Sequence, residues 1–308
     1  MGRILVTGGA GFIGSHLTKR LIEKGYDVIV LDNLSRGKVD NISQVMQTID
    51  FIKGDIRDYE LIDRLIKNID VVIHLAALSR VQPSIENPEL CFDINVKGTE
   101  IIARICSKYN KKLIFASSRE VYGTPKYLPV DEGHSLNPEN PYGTSKVAAE
   151  SIIRAYSKCY GLEYIILRLA NVYGPRDFDR VIPIFINKAL KNEKLVVYGK
   201  DKILDFIYIS DVVNAFINAL EMNERNLTLN IGSGIGTKLT DLAMLIKNIV
   251  NSNSNIVIKE TKKGEIEKFI ADISKAKSIL KWQPIVNLNS GIRNIIEVNL
   301  RKSHYTTA

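Results

Sequence analysis

Cysteine is scarce: Cys91, Cys106 and Cys159 are the only three in 308 residues, widely spaced, odd in number and without a C-x-x-C pair. That excludes a disulfide framework and a thiolate zinc site, so no metal is expected, and it fits a reducing cytoplasm. Long hydrophobic runs are also missing. The longest, Val71 to Leu78, is interrupted by His74 and falls short of the ~18 apolar residues of a membrane span. The opening MGRILVTGG enters a buried-strand pattern directly, with no charged region, long apolar stretch or small-residue cleavage site, and Val6 stands where N-myristoylation needs Ser or Thr. Neither secretion nor a membrane anchor is expected, and no internal repeat or extended low-complexity segment is present.

What is there is the composition of a folded protein, 45% apolar and 25% charged, which excludes disorder as the main state. At roughly one domain per 150 residues, two packed units are expected. Lys and Arg number 42 against 34 Asp and Glu, a net charge of +8. The basic residues are scattered and not interleaved with aromatics, so no nucleic-acid partner is expected. An anionic small substrate or a lysine-rich solvated surface accounts for the excess equally well.

The first half alternates short apolar runs with amphipathic stretches, the pattern of a parallel sheet covered by helices on both faces. Strands are expected at Ile4 to Thr7, Val28 to Leu31, Phe51 to Lys53, Val71 to Leu75, Leu113 to Ser117 and Tyr164 to Leu169. Helices are expected at Phe12 to Lys24, Tyr59 to Lys67, Glu89 to Tyr109 and Tyr142 to Tyr160. This is a doubly wound α/β unit over residues 1–170. A smaller α/β unit over residues 171–308 follows, with segments near 205–232 candidates to return to the first. In it, strands are expected at Leu195 to Tyr198 and Ile256 to Lys259, and helices at Thr240 to Val250, Ser274 to Leu280 and Asn289 to Leu300. Asn251 to Asn255 reads as a polar connection.

Gly8, Gly11 and Gly14 recur at three-residue intervals between the first strand and the first helix. Such a turn lets backbone N–H groups approach a pyrophosphate at a helix N-terminus. Asp32 ends the second strand 18 residues after Gly14, near the spacing of a carboxylate that holds a ribose diol. The negative charge would repel a 2′-phosphate, so NAD is expected rather than NADP, although Arg36 lies close by. Asp55, after the third strand, is either an adenine ligand or the cap of the next helix.

Tyr142 and Lys146 are four apart and share a helix face. A phenol titrating near ~10 is a poor base at neutral pH, and a neighbouring ammonium favours its phenolate. Ser118, at the ligand-binding end of the fifth strand, can hold the oxygen that Tyr142 deprotonates.

With Gly8-Gly-Ala-Gly-Phe-Ile-Gly14, Asp32-Asn33-Leu34-Ser35, Gly54-Asp55-Ile56, His74-Leu-Ala-Ala77, Asn95-Val-Lys-Gly-Thr99 and Ser117-Ser-Arg-Glu-Val-Tyr-Gly123 in order, the chain resembles the extended short-chain dehydrogenase/reductase family, in its NAD-dependent nucleotide-sugar epimerase and dehydratase branch. The likeness continues through Pro141-Tyr-Gly-Thr-Ser-Lys146, Arg168-Leu-Ala-Asn-Val-Tyr-Gly-Pro-Arg176, Asp205-Phe-Ile-Tyr208, Ala271-Asp-Ile-Ser-Lys-Ala276 and Trp282-Gln-Pro284. The resemblance implies a Rossmann-type fold with a smaller substrate-binding domain. It implies that Gly8, Gly11, Phe12, Ile13, Gly14, Asp32, Asn33, Asp55, Ile56, Leu75, Ala76, Ala77, Asn95, Tyr142 and Lys146 surround NAD, and that Ser118, Tyr142 and Lys146 are catalytic.

In that family NAD stays bound while a sugar 4-hydroxyl is oxidised and reduced again. The expected activity is therefore a nucleoside-diphosphate-sugar 4-epimerase of the UDP-glucose/UDP-galactose type, acting on a UDP-hexose through a transient 4-keto sugar. Three features depart from the common pattern. Glu120 precedes Val-Tyr-Gly as in similar dehydratases and decarboxylases, which makes a 4,6-dehydratase or decarboxylase the alternative; otherwise Glu120 pairs with Arg119 or a nearby lysine. Arg119 takes the place of an acid in one dehydratase group and cannot donate a proton. Leu204 and Lys262 stand where arginines that hold a diphosphate are usual, leaving Arg176, Arg180 or Lys262 as holders beside Asn171. Phe269 either restricts the sugar or is core. A non-catalytic NAD-binding sensor is a third reading, which the retained trio opposes. Glu89 to Tyr109 and Tyr142 to Tyr160 resemble the helices that form a homodimer interface in the family; their apolar positions could equally cover the sheet.

Overall fold

In a computed structural model, residues 2–306 are described. The strands are β1 Arg3–Thr7, β2 Asp27–Asp32, β3 Asp50–Lys53, β4 Val71–His74, β5 Lys112–Ser118, β6 Tyr164–Leu169, β7 Asn171–Tyr173, β8 Leu195–Tyr198, β9 Ile203–Tyr208, β10 Leu227–Ile231, β11 Gly236–Lys238 and β12 Ile256–Lys259. The helices are α1 Phe12–Glu23, α2 Tyr59–Ile66, α3 Val81–Glu86, α4 Pro88–Phe92, α5 Gly98–Lys108, α6 Pro141–Tyr160, α7 Val181–Leu190, α8 Ile209–Glu221, α9 Leu239–Ile249, α10 Ser274–Ile279 and α11 Leu288–Thr306.

Seven strands form a wholly parallel sheet in the order β10-β6-β5-β4-β1-β2-β3. The chain leaves this sheet after β6 and supplies its edge strand, β10, only some sixty residues later. Order reverses between β1 and β4, which opens a crevice at the carboxyl ends of the strands. A three-stranded sheet, β11-β9-β7, and a parallel pair, β12-β8, complete the structure.

The apolar runs are explained by alternation across the main sheet. Ile4, Val6, Val28, Val30, Ile73, Ile114 and Ile165 point to one face, where α1 and α8 pack and where the core runs on into Phe185, Leu195 and Leu242. Leu5, Ile29, Leu31, Val72, Leu113, Phe115 and Ile166 point to the other, covered by α2, α5 and α6. The single charge at the start of β5, Lys112, is buried because its ammonium donates to the Ala219 carbonyl (2.7 Å) at the end of α8, where unsatisfied carbonyls favour a cation.

Helix α6 begins one residue earlier than its pattern, at Pro141. The Asn140 side chain accepts from Gly143 N (2.8 Å), and Gly161, at φ +74°, ends the helix in the left-handed conformation. The stretch expected as one helix from Glu89 to Tyr109 is instead α4, a π turn at Asp93–Lys97, and α5. The wider turn lets Gly98 approach Ile56, whose Cδ1 would lie 2.5 Å from an added Cβ. The connection at 251–255 is more inward than its polarity suggests: Ser252 and Ser254 are buried and share a hydrogen bond of 2.9 Å. Among the described residues no helix is long and apolar enough to cross a membrane.

Candidate active site

A cavity of about 790 Å³ occupies the crevice, bordered by the segments that follow β1, β2, β4 and β5 and by residues of the smaller unit. Its size is that of a ligand pocket.

At one end lies the glycine turn. Gly8 has φ +72°, and a Cβ there would stand 2.8 Å from Ala76 N; at Gly14 it would stand 2.1 Å from the Gly8 carbonyl oxygen. Gly11 caps α1 and lines the cavity, with only the Gly8 oxygen within 4 Å of an added Cβ. The turn itself therefore puts no side chain into the crevice beside the helix N-terminus, which suits a pyrophosphate. Asp32 closes β2. Its carboxylate accepts from Ala10 N (3.0 Å) and Leu34 N (2.8 Å) and is so closely covered that a Cβ at Gly37 would lie 2.7 Å from its oxygens. Burial pushes the Asp32 carboxyl upward, against those two N–H groups. Asp55 is clamped by Arg57 (2.8 Å) and by Asn33 (2.9 Å); the guanidinium holds it well below the usual carboxylate range. It does not cap α2, a role taken by Asp58, whose carboxylate accepts from Leu61 N (3.0 Å).

Phe12, Ile13, Ile56, Leu75, Ala76 and Ala77 line the same cavity. An open glycine cradle, a fixed carboxylate at the tip of β2 and an apolar wall fit a dinucleotide. Asn95, expected to touch it, does not line the cavity. Its amide is spent on Leu78 N (2.8 Å), Leu78 O (3.1 Å) and the Ser145 hydroxyl (2.9 Å), so it ties the π turn to the segment after β4 and to α6.

At the reacting end, Ser118, Tyr142 and Lys146 meet on the cavity wall, each more than nine-tenths buried. The Lys146 ammonium donates to Ala116 O (2.9 Å) and lies 6.0 Å from the Tyr142 ring centre. Burial pushes the Tyr142 hydroxyl up to about 12, the Ser118 hydroxyl opposing and the Glu120 carboxylate adding to the rise. Burial pushes Lys146 down to about 8. The ammonium is itself desolvated and turned to a carbonyl, so burial dominates both groups.

Glu120 also lines the cavity, with both oxygens engaged: Arg119 lies 2.9 Å from Oε1 and Asn140 Nδ2 donates to Oε2 (2.9 Å). Behind the trio is a network the motif reading did not find. Glu150 of α6, fully buried, accepts from Arg168 of β6 and from the Ser117 hydroxyl (2.5 Å), while Arg168 also donates to the Tyr122 hydroxyl (2.9 Å). The charge inside the apolar run of β6 is the one sequence signal for it, since a buried Arg needs a partner.

At the far end, Asn171 and Lys262 line the cavity. Asn171 donates to Asp205 O (3.0 Å), and the Lys262 ammonium lies 4.5 Å from the Tyr198 ring centre. Lys202, paired with Glu265 at 2.6 Å, lies beside them. Arg176 and Arg180 also line the cavity but turn toward α1: Arg176 donates to the Ser15 hydroxyl (3.1 Å), and Arg180 lies 5.4 Å from the Phe12 ring centre. Phe269 is core. It is 1% exposed, stacks on Tyr122 and does not line the cavity. Arg80, Asp177 and Asp179, which no motif marked, do line it.

Residues 4–232 match the sequence model of the NAD dependent epimerase/dehydratase family. A Methanocaldococcus jannaschii protein provisionally assigned as a UDP-glucose 4-epimerase is 44% identical over 301 residues, covering 95% of this chain and 97% of the relative. UDP-glucuronic acid decarboxylase 1 of Xenopus tropicalis is 33% identical over 96% of this chain and 71% of its own length. The crystal structure of a Thermotoga maritima UDP-glucose 4-epimerase with UDP-glucose superposes with a TM-score of 0.93 at 38% identity, covering 97% of this chain and 99% of that one.

Proposed function

Because the chain belongs to the NAD dependent epimerase/dehydratase family, we propose that it is a nucleoside-diphosphate-sugar 4-epimerase of the UDP-glucose/UDP-galactose type that works through a transient 4-keto sugar. The observation that carries this reading is the convergence of Ser118, Tyr142 and Lys146 on the cavity whose other end is the glycine cradle. Bound there, NAD supplies a reversible hydride acceptor for carbon 4 of the sugar. Tyr142 takes the proton of the 4-hydroxyl and later returns it, Ser118 holds the same oxygen, and Lys146 holds the cofactor ribose. Asp32 holds the adenosine ribose; Gly8, Gly11 and Gly14 leave room for the pyrophosphate; Asn33, Asp55, Ile56, Leu75, Ala76 and Ala77 form the remaining wall. Asn171 and Lys262 take the substrate diphosphate. Inversion follows when the 4-keto sugar turns over in the cavity and is reduced on its other face.

The lock on Glu120 favours this reading over a dehydratase or decarboxylase, because a carboxylate with both oxygens engaged is a poor C5 base. The cofactor unit is assigned to residues 1–170 with the returning segment at 205–232, and the substrate unit to the rest of 171–308. A UDP-hexose substrate, a cytoplasmic setting and a homodimer through the faces of α4 to α6 complete the proposal; exposed Leu90, Phe92 and Tyr160 support the last. The test is incubation of the purified protein with UDP-, dTDP- and GDP-sugars, products followed by NMR. A C4 epimer is expected. A 4-keto-6-deoxy sugar or a lost carboxyl group would replace it with the alternative, and NAD binding without turnover would replace it with the sensor.

A further inference from the structure

Residues 176–180 all line the cavity, and their side chains reach across it to the first unit. Arg176, at φ +72°, turns back to the Ser15 hydroxyl in the first turn of α1, and Arg180 lies over the ring of Phe12, the first residue of that helix. Two guanidiniums thus stand at the end of α1 where the glycine turn clears the crevice. Between them Asp179 pairs with Arg36 (2.7 Å), from the segment after β2, and with Arg80, from the segment after β4. Phe178 lies 5.3 Å from the Lys38 ammonium. The segment spans the crevice and is tied down on both banks.

We infer that residues 176–180 form a strap over the dinucleotide, with Arg176 and Arg180 facing its pyrophosphate and Asp179 acting as an ionic latch to Arg36 and Arg80 that retains the cofactor between turnovers. This rests on NAD being the cofactor. The charge balance supports an anionic occupant: four guanidiniums (Arg36, Arg80, Arg176, Arg180) face two carboxylates (Asp177, Asp179). With Lys38 beside Phe178 the surplus is positive, the sign that suits a pyrophosphate. One buried donor of the cluster, Arg80 Nε, also lacks a partner. Burial, with the neighbouring Arg180, pushes Arg80 down to about 9. Retention has a use here, since a cofactor regenerated in every cycle has no reason to leave.

The experiment is release of etheno-NAD from the loaded protein, followed by stopped-flow fluorescence, with UDP affinity measured in parallel. Asp179→Asn is expected to speed release about tenfold or more, and Asp179→Glu to restore slow release. Release from the wild type should quicken between about 50 and 500 mM salt and that dependence should fade in Asp179→Asn. Arg180→Gln should weaken NAD about tenfold and leave UDP affinity unchanged. Release from Asp179→Asn at the wild-type rate, or an Arg180→Gln that weakens UDP and spares NAD, would overturn the strap while leaving the epimerase reading intact. A wild type that binds no NAD would overturn both.

Discussion

Arg168 grips Glu150 with two hydrogen bonds, Nε to Oε1 at 3.0 Å and Nη2 to Oε2 at 2.7 Å, in a place closed to water. The pair joins β6 to the helix that carries Tyr142 and Lys146. Burial works against the Glu150 charge, but the guanidinium outweighs it and the carboxyl stays below its ordinary range. Arg154, four residues along α6, also donates to Glu150 Oε2 (2.6 Å), so loss of Arg168 leaves the carboxylate with one guanidinium instead of two. Arg168→Ala should therefore cost about 1.5–3 kcal/mol in urea unfolding, and the joint Arg168→Met, Glu150→Leu variant should recover most of that. A single variant as stable as the wild type would refute the coupling.

Tyr142→Phe keeps the ring and deletes the hydroxyl. Turnover should fall by a factor of about 10² to 10⁴, the usual share of a general acid–base group, while NAD remains bound. The two readouts are NMR of sugar products and the cofactor content of the purified variant. Activity near wild type would remove Tyr142 from the proton path.

Glu120→Gln preserves the shape of the lock on Arg119 and Asn140 but removes the charge. For an epimerase the rate should change by less than about threefold. A loss of two orders of magnitude would instead place that carboxylate in the chemistry, as a dehydratase or decarboxylase requires.

His74 is held neutral between the Thr7 hydroxyl (2.7 Å) and the Thr99 hydroxyl (3.1 Å), and burial, with Lys146 adding, pushes it down to about 3. The unfolded chain takes up a proton near ~6.5 that the folded one refuses. Below that point the unfolded state binds more protons, so stability falls as the pH drops toward 3, by about 1.4 kcal/mol per pH unit from this residue. His74→Gln should flatten the slope in that window; calorimetry from pH 7 to 4 measures it, and an unchanged slope would assign the acid sensitivity elsewhere.

The pattern of residues reaches some of these features and not others. β6 begins and ends where its apolar run does, because a strand buried on both faces has little choice of register; β8 and β12, which pair with each other at the edge and are less buried, also keep the bounds of their β-branched runs. The glycine spacing reveals the cradle because steric exclusion is local to the turn. The π turn is invisible, since it answers the approach of Gly98 to Ile56, a contact between segments far apart in sequence. Asn95, Arg176 and Arg180 occupy family positions, and what their side chains touch (Ser145, Ser15 and Phe12) is set by segments far away in sequence; Phe269 takes the core alternative of its two readings. Glu150 reads as an ordinary helical glutamate until β6 brings Arg168 beneath it.

The late arrival of β10 carries a cost for modularity. The edge of the large sheet is supplied by chain that has already built part of the smaller lobe, so the peptide crosses between lobes more than once. A fragment cut after Leu169 would expose an unpaired β6 and shed its neighbour, and a fragment beginning there would carry an orphan strand. Such a molecule resists shuffling of its halves, and new specificities have to be written into loops between the crossings.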